Sequence, residues 1–285
     1  MEKSFQNKGN KVMNLIEGMR SEFAKSKKWH NAGLFAGGIL LIVSVLLISQ
    51  TDEILLKVLS AGVLIIPVLI FIFKEESLVH QEYAENIRRS LMLWDGMGTE
   101  PSHLELAQVK IDLGIIDNSE PVFSGPYYDS KLAKGARRLA DIITESVFFT
   151  KNLSGTVAKI LLTIFLILFG LSIFCLYLLI FSDYAKESSV VMAKCIAVLM
   201  IYFLSGDIAY LWRRYSSLSN ACRQIEKKSD ELRRSELAST EAVMKIMDDY
   251  NCAVIQAPPL PGIIYQMNRN RLNEAWKSVE LKEDK

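Results

Sequence analysis

Four apolar runs, each about as long as a bilayer-spanning helix, constrain the fold of this 285-residue chain more than anything else in it. A hydrocarbon core about 30 Å thick takes roughly 20 apolar residues at about 1.5 Å of helical rise each. The first run covers residues 32–50, inside a stretch from Trp29 to Thr51 without Asp, Glu, Lys or Arg. The second covers 54–73, with Lys57 near one end and Pro67 inside. The third covers 157–182 and carries no charge between Lys159 and Asp183. The fourth, 188–212, is the least regular, since it holds Lys194 and Asp207. A cleaved signal peptide is a poor reading of the first run, because 31 residues precede it and no small-residue cleavage site follows.

The links between the runs set a topology. Only Thr51, Asp52 and Glu53 separate the first two, and Asp183 to Glu187 separate the last two, so both pairs read as hairpins with acidic tips. The cations gather at the opposite ends: Lys25, Lys27, Lys28, Lys74, Lys151, Lys159, Arg213 and Arg214. The bias of Lys and Arg toward cytoplasmic flanks places both termini and the middle region inside. The expected fold is an all-α membrane protein, with four transmembrane helices as two hairpins and an interleaved helical cytoplasmic body. Its parts are a cytoplasmic amphipathic helix (1–31), a first hairpin (32–73), a middle helical region (74–156), a second hairpin (157–212) and a helical tail (213–285).

Composition agrees with that division. Half the residues are apolar and the mean hydropathy is +0.20, although the ends read as polar. A net charge of +1, from 33 Lys and Arg against 32 Asp and Glu, tells against a DNA- or RNA-binding role. Four cysteines with no C-x-x-C pair give neither a zinc ribbon nor a disulfide framework.

Within the body, Val12, Leu15, Ile16, Met19 and Phe23 have the spacing of an amphipathic helix. Packing on the body is favoured for that face over lying on anionic lipid, to which Lys8, Lys11, Arg20 and the 25–28 cluster would otherwise draw it. A charged helix is expected over 75–93, a second from Pro101-Ser102 through Leu113, then a loop over 117–126. A long helix from Leu132 to Leu153, striped by Leu139, Ile142, Ile143, Val147 and Leu153, should lead into the third run. The fourth run should continue as a polar helix from Arg213 to about Leu237. Ser239-Thr240-Glu241 restarts a helix to about Ile255, Pro258, Pro259 and Pro261 break it, and a last helix covers about 263–279.

Few residues invite catalysis. His30, His80 and His103 stand without the i+3 or i+4 partners of a metal site, no phosphate-binding or nucleophile-elbow motif occurs, and the four thiols read as free. No catalytic residue, metal or cofactor is assigned. The charges inside the runs say more, because a charge at mid-bilayer costs several kcal/mol and normally faces a partner or water. Lys194 has a stem long enough to snorkel outward. Asp207 does not, and Tyr210 and Arg214 share its helical face on the cytoplasmic side only. Asp207 is therefore either an acid satisfied by the Tyr210 hydroxyl and Arg214 or the inner mouth of an ion path. Gly33-x-x-x-Gly37 allows close helix approach, within the first hairpin or between chains of a homo-oligomer. For a cytoplasmic anion, Arg137, Arg138, Arg213, Arg214, Arg269 and Arg271 are candidate contacts, with Trp94, Tyr127, Tyr128 and Tyr265 available for stacking. Solvated faces and juxtamembrane anchors account for most of these without a ligand.

The arrangement, together with several short motifs, resembles a known family. The motifs are Leu93-Trp94-Asp95 with Pro101-Ser102, Pro126-Tyr127-Tyr128, Glu145-Ser-Val-Phe-Phe149, and Pro258-Pro-Leu-Pro261 followed by Tyr265, Arg269 and Arg271. Two hairpins around a cytoplasmic middle region with these motifs are similar to the SMODS-associated four-transmembrane-helix pore-forming effectors of bacterial cyclic-oligonucleotide antiphage signalling. The resemblance implies a homo-oligomer in the bacterial inner membrane with both termini cytoplasmic. Its body would sense a cyclic oligonucleotide made by a neighbouring nucleotidyltransferase, and its helices would then rearrange into a leak. The competing expectation is a membrane scaffold or partner-regulated subunit without a pore. A lipid-modifying enzyme is disfavoured by the missing acid/base or metal constellation.

Overall fold

Ladders of complementary contacts between antiparallel helices organise the chain. The computed structural model describes residues 13–114, 121–122, 127–181, 186–205, 207–235 and 237–283. Helix α1 spans Leu15–Ser49 and α2 spans Glu53–Met97, turning on Asp52, whose carboxylate accepts from the Leu55 N–H at 2.9 Å. Down this pair, His80 Nδ1 meets Glu22 Oε2 at 2.6 Å, Ser26 Oγ donates to the Ser77 carbonyl at 2.8 Å, and Ser77 Oγ donates to the Ser26 carbonyl at 3.0 Å. Trp29 then stacks on Phe73 with ring centroids 5.5 Å apart. At Gly33 a Cβ would make only ordinary contact with Phe73, at 3.6 Å, so the approach there does not depend on glycine, while Gly37 is buried.

The polar start of α1 and its apolar continuation form one uninterrupted helix. Leu15, Ile16, Met19 and Phe23 pack against Ala84, Ile87 and Leu91 of α2 and against Val109 of α3 (His103–Asp112), so this face is covered by the body. Val12, Lys8 and Lys11 lie outside the described residues or their side chains. Asn14 caps α1, and Met13–Asn14 make a two-residue parallel pairing with Pro121–Val122. The rest of the expected loop over 117–126 falls outside the described residues.

The second apolar run and the charged helix after it are one 45-residue element rather than two. Between Phe73 and Trp94 the chain offers good helix formers and no Gly or Pro, and Pro67 does not end the helix. Gly98 stops it in the left-handed region at φ 76°, its N–H donating to the Trp94 carbonyl at 3.0 Å. The α3 start has a reciprocal capping box between Ser102 and Glu105.

Helix α4, Ala136–Phe181, runs 46 residues from the body through the third apolar run. It begins four positions later than expected because Gly135 sits at φ 149°, with its N–H donating to the Gly96 carbonyl at 2.8 Å. The expected stripe Leu139, Ile142, Ile143, Val147 and Leu153 is buried throughout. Leu139, Ile142, Ile143 and Val147 pack in one cluster with Leu218, Cys222 and Ile225 of α6 (Asp207–Arg234) and Val243, Ile246, Met247 and Tyr250 of α7 (Thr240–Ile255). Ser239 caps α7 by accepting from the Ala242 N–H at 3.1 Å. Helix α8 covers Gly262–Glu283 and buries Leu272 and Trp276.

The fourth run and its polar continuation are helical on both sides of Gly206, as α5 (Lys186–Ser205) and α6 (Asp207–Arg234). Gly206 and most of the second hairpin tip lie outside the described residues. Among the described residues, three helices are long and apolar enough to cross a membrane: Leu15–Ile48, Glu53–Met97 and Ala136–Phe181. Among the described residues α5 contributes the apolar stretch Val190–Met200.

The tightest crossing joins α2 to α4. A Cβ on Gly96 would lie 2.9 Å from the backbone and side chain of Leu139. Gly96→Ala should therefore destabilise the protein by about 1–3 kcal/mol through overpacking. Gly38→Ala, which meets nothing within 4 Å, should be neutral or slightly stabilising. Thermal unfolding midpoints of the two variants in detergent check this.

Candidate functional site

Charged side chains fall on the core stripe of α2, and they set the geometry of the body. Ser77, Gln81, Glu85, Arg88 and Asp95 are all buried, at the three- and four-residue spacing that faces α2 inward. Arg88 Nε donates to Glu85 Oε2 at 2.6 Å, and Nη1 donates to the Tyr250 hydroxyl at 2.8 Å, with the guanidinium 4.7 Å from the Tyr250 ring centre. That hydroxyl also lies 2.8 Å from Thr150 Oγ1 of α4. One residue thereby joins α2, α4 and α7. Burial pushes the Glu85 carboxyl up, and Arg88 partly offsets this. Burial opposes the Arg88 charge, but Glu85 and Tyr250 more than compensate and hold the guanidinium firmly protonated.

A second buried pair locks the end of α2 to the start of α4. Arg138 donates to Asp95 Oδ1 at 2.6 Å, to the Asp95 carbonyl at 2.9 Å, to the Leu132 carbonyl at 2.8 Å and to the Ser130 carbonyl. Tyr128 N–H reaches the other Asp95 oxygen at 3.4 Å. Its ring meets Tyr127 edge-on at 4.8 Å, and the Lys134 ammonium lies 4.8 Å from the Trp94 ring centre. Arg137 donates to the Arg233 carbonyl at 3.3 Å. Of the ten candidate ligand contacts, Arg138 and Tyr128 thus bond Asp95 directly, Trp94 precedes it in the chain and Tyr127 packs on Tyr128, whereas Arg137 turns to the Arg233 carbonyl. Arg138 uses its donors inside the chain, whereas Tyr127, Lys134 and Arg137 are exposed and Trp94 is half-buried against Lys134.

Arg213 and Arg214 lie on α6, and Tyr265, Arg269 and Arg271 lie on α8. Arg214 Nε donates to the Tyr210 hydroxyl at 3.0 Å, with its guanidinium 5.1 Å from that ring centre. The Asp207 side chain lies outside the described residues, so the partners expected for it are placed against each other. Lys194 is exposed on α5.

Beside Tyr210 a cleft of about 110 Å³ opens where the polar body meets the apolar halves of the helices. His30 and Leu34 of α1, Lys74, Ser77 and Leu78 of α2, and Tyr210 and Leu211 of α6 line it. Residues 256–259 close it. Two buried side chains hold that segment: Gln81 Nε2 donates to the Val254 and Ala257 carbonyls at 3.2 and 2.8 Å, and the Tyr215 hydroxyl donates to the Pro259 carbonyl at 3.0 Å. The proline motif is a clamp between α2 and α6.

Reactive chemistry is sparse here. Among the described residues no group of three or more His, Cys, Asp or Glu is placed to hold a metal. The four cysteines are free, and burial pushes the Cys222 thiol up to about 12, so it stays protonated at neutral pH. Sequence reasoning passed over Glu85, Arg88 and Tyr250 within segments read as solvated or unremarkable. The available signal was polar residues recurring in phase with Ala84, Leu91 and Met92. No family model, curated protein or solved structure matches the chain.

Removing one partner of a buried pair strands the other charge. Arg88→Met should cost about 3–5 kcal/mol at neutral pH. Its stability should fall as pH rises, because Glu85 titrates in the folded variant above its ordinary value of 4.5 and is held neutral there at a cost that grows once the unfolded chain ionises. Adding Glu85→Gln should recover part of the loss and flatten the pH dependence. Denaturation of the three proteins between pH 4 and 8 measures both.

Proposed function

We propose that the chain is a ligand-gated membrane effector whose cytoplasmic body controls the leakiness of its helices. Its four apolar segments cross the bacterial inner membrane as two hairpins, with both termini cytoplasmic, and several copies assemble. Four helices from one chain are too few to surround a sizeable aqueous path, so the open state is an oligomer. The activating ligand is a cyclic oligonucleotide made by a neighbouring nucleotidyltransferase, as in the antiphage effectors that the sequence resembles. The surface formed by Trp94, Tyr127, Lys134 and Arg137 offers aromatic faces and cations to such a ligand.

The observation carrying this reading is that α1, α2 and α4 pass without interruption from the buried polar body into apolar halves. A ligand that binds one packing of the body better than another shifts the population of helix arrangements by that difference in affinity. The Asp95–Arg138 lock lies between the aromatic surface and the α2–α4 crossing, and gives the ligand a lever on both helices. The scaffold reading draws on Arg138, whose donors already satisfy the fold.

Purified protein in phosphatidylethanolamine and phosphatidylglycerol vesicles loaded with a self-quenching dye tests the proposal. One of the cyclic di- or trinucleotides, added singly, should release dye from protein-containing but not from bare vesicles. Absence of release with every nucleotide, from vesicles in which the chain is inserted and folded, would remove the pore and favour the scaffold.

A further inference from the structure

The first turns of α8 carry exposed apolar side chains where a tail helix in water would carry polar ones. Ile264, Asn268, Leu272 and Trp276 recur every four residues and turn toward the body, Leu272 and Trp276 being buried and the other two half-buried. On another face Ile263 is 65% and Met267 73% exposed, with Tyr265 43% exposed nearby. The next residue of the Ile263–Met267 face is a cation, Arg271, which is exposed, as is Arg269. Arg271 lies two turns beyond Ile263, roughly 12 Å at the helical rise per residue.

The height of this face along the bundle decides what it meets. Ile264 and the preceding Leu260 pack with Leu34 of α1, Val157 of α4 and Leu211 and Trp212 of α6. Those are the body-side ends of the first, third and fourth apolar runs. Ile263 and Met267 therefore stand where the chain passes from the polar body to uncovered apolar surface. Apolar side chains there, with arginines farther from the apolar halves, follow the order in which a bilayer presents acyl chains and then headgroups. Between Asp249 and Glu274 the chain has two arginines and no acid, which suits an anionic leaflet. A protein partner fits less well, because three side chains fall well short of the roughly 800 Å² per partner that a stable interface buries.

We propose that the start of α8 is a membrane-surface contact, with Ile263, Tyr265 and Met267 at the acyl boundary of the inner leaflet and Arg269 and Arg271 among anionic headgroups. Farther along the same helix, Trp276 packs on Phe148 of α4 with ring centroids 5.5 Å apart, so α8 ties the lipid surface to the core of the body. The inference rests on the membrane location proposed above and is independent of the pore.

Fluorescence of single labelled positions in the full chain, inserted in phosphatidylethanolamine and phosphatidylglycerol vesicles, tests it. The background carries Cys175→Ser, Cys195→Ser and Cys252→Ser and keeps the buried Cys222. An environment-sensitive dye is placed by Met267→Cys, by Ile42→Cys on the exposed apolar half of α1, and by Leu237→Cys, 92% exposed beyond the end of α6. A phospholipid spin-labelled near the top of its acyl chain should quench the dye at 42 and 267 but not at 237, and iodide should quench it only at 237. Spin-labelled phosphatidylglycerol should be enriched at 267 over its phosphatidylcholine counterpart by about fivefold, the order of the attraction per cation at an anionic surface. Arg269→Gln with Arg271→Gln should remove that enrichment. Quenching at 267 by iodide and not by lipid overturns the proposal. Protection from both quenchers makes the face a contact between copies and also overturns it, as does equal enrichment of the two lipids. Lipid quenching at 42 without quenching at 267 removes this inference alone, whereas its absence at both positions removes the membrane location as well. Should the cysteine-free background unfold, phosphatidylglycerol with a photoreactive acyl chain serves on the unmodified protein: adducts on Ile263 or Met267 support the contact, and adducts confined to the apolar runs overturn it.

Discussion

Apolar helix length that the chain cannot cover is the constraint on which the rest of the structure depends. Of the most apolar window in each long helix, only 17% is buried in α1, none in α2 and 6% in α4. Such surface is unfavourable in water by roughly 25 cal/mol per Å² and needs an apolar surrounding outside the chain. The same three helices each carry a second segment that is buried among protein side chains and rich in hydrogen bonds. Each long helix therefore answers to two solvents, and the place where they meet is fixed along its length. The Trp29–Phe73 stack, Lys74 and the junction cleft all lie at that level.

Below the junction, packing relies on polar groups set into the core. A stripe of leucines on α2 would bury as much area, but it would tolerate sliding by a turn. Glu22–His80, Ser26–Ser77, Arg88–Tyr250 and Asp95–Arg138 each join two helices through directional hydrogen bonds, so together they fix the register of α1, α2, α4 and α7. Buried pairs add little net stability compared with apolar packing and are costly to break singly. A body held this way has a defined arrangement and a limited set of alternatives, as the proposed gating requires.

Local signals made much of this architecture legible in the sequence. The capping box at Ser102 and Glu105, the cap at Ser239, the stripe from Leu139 to Leu153 and the turn at Thr51–Glu53 depend on residues within a few positions of one another. The partner of Arg88 was not legible, because Tyr250 lies 162 positions away and nothing near Arg88 marks it as buried except the phase of its neighbours. Arg138 misled in the opposite sense: beside Arg137 it reads as an anion contact, yet its acceptors include the Asp95 carboxylate and carbonyl, 43 positions earlier. Among the motifs behind the family resemblance, Trp94-Asp95 and the proline segment each have a structural task in this chain, as a helix lock and as a clamp.

Side-specific labelling tests the central claim, that the apolar halves cross a bilayer with the body on its inner face, most directly. Thr51→Cys places a thiol on the exposed turn between α1 and α2, while the native Cys252 is exposed on α7 in the body. In intact bacterial cells stripped of their outer membrane, a membrane-impermeant maleimide should modify the thiol at position 51. It should reach Cys252 only after permeabilisation. Modification of both thiols from the same side, or of Cys252 alone in intact cells, would contradict the account.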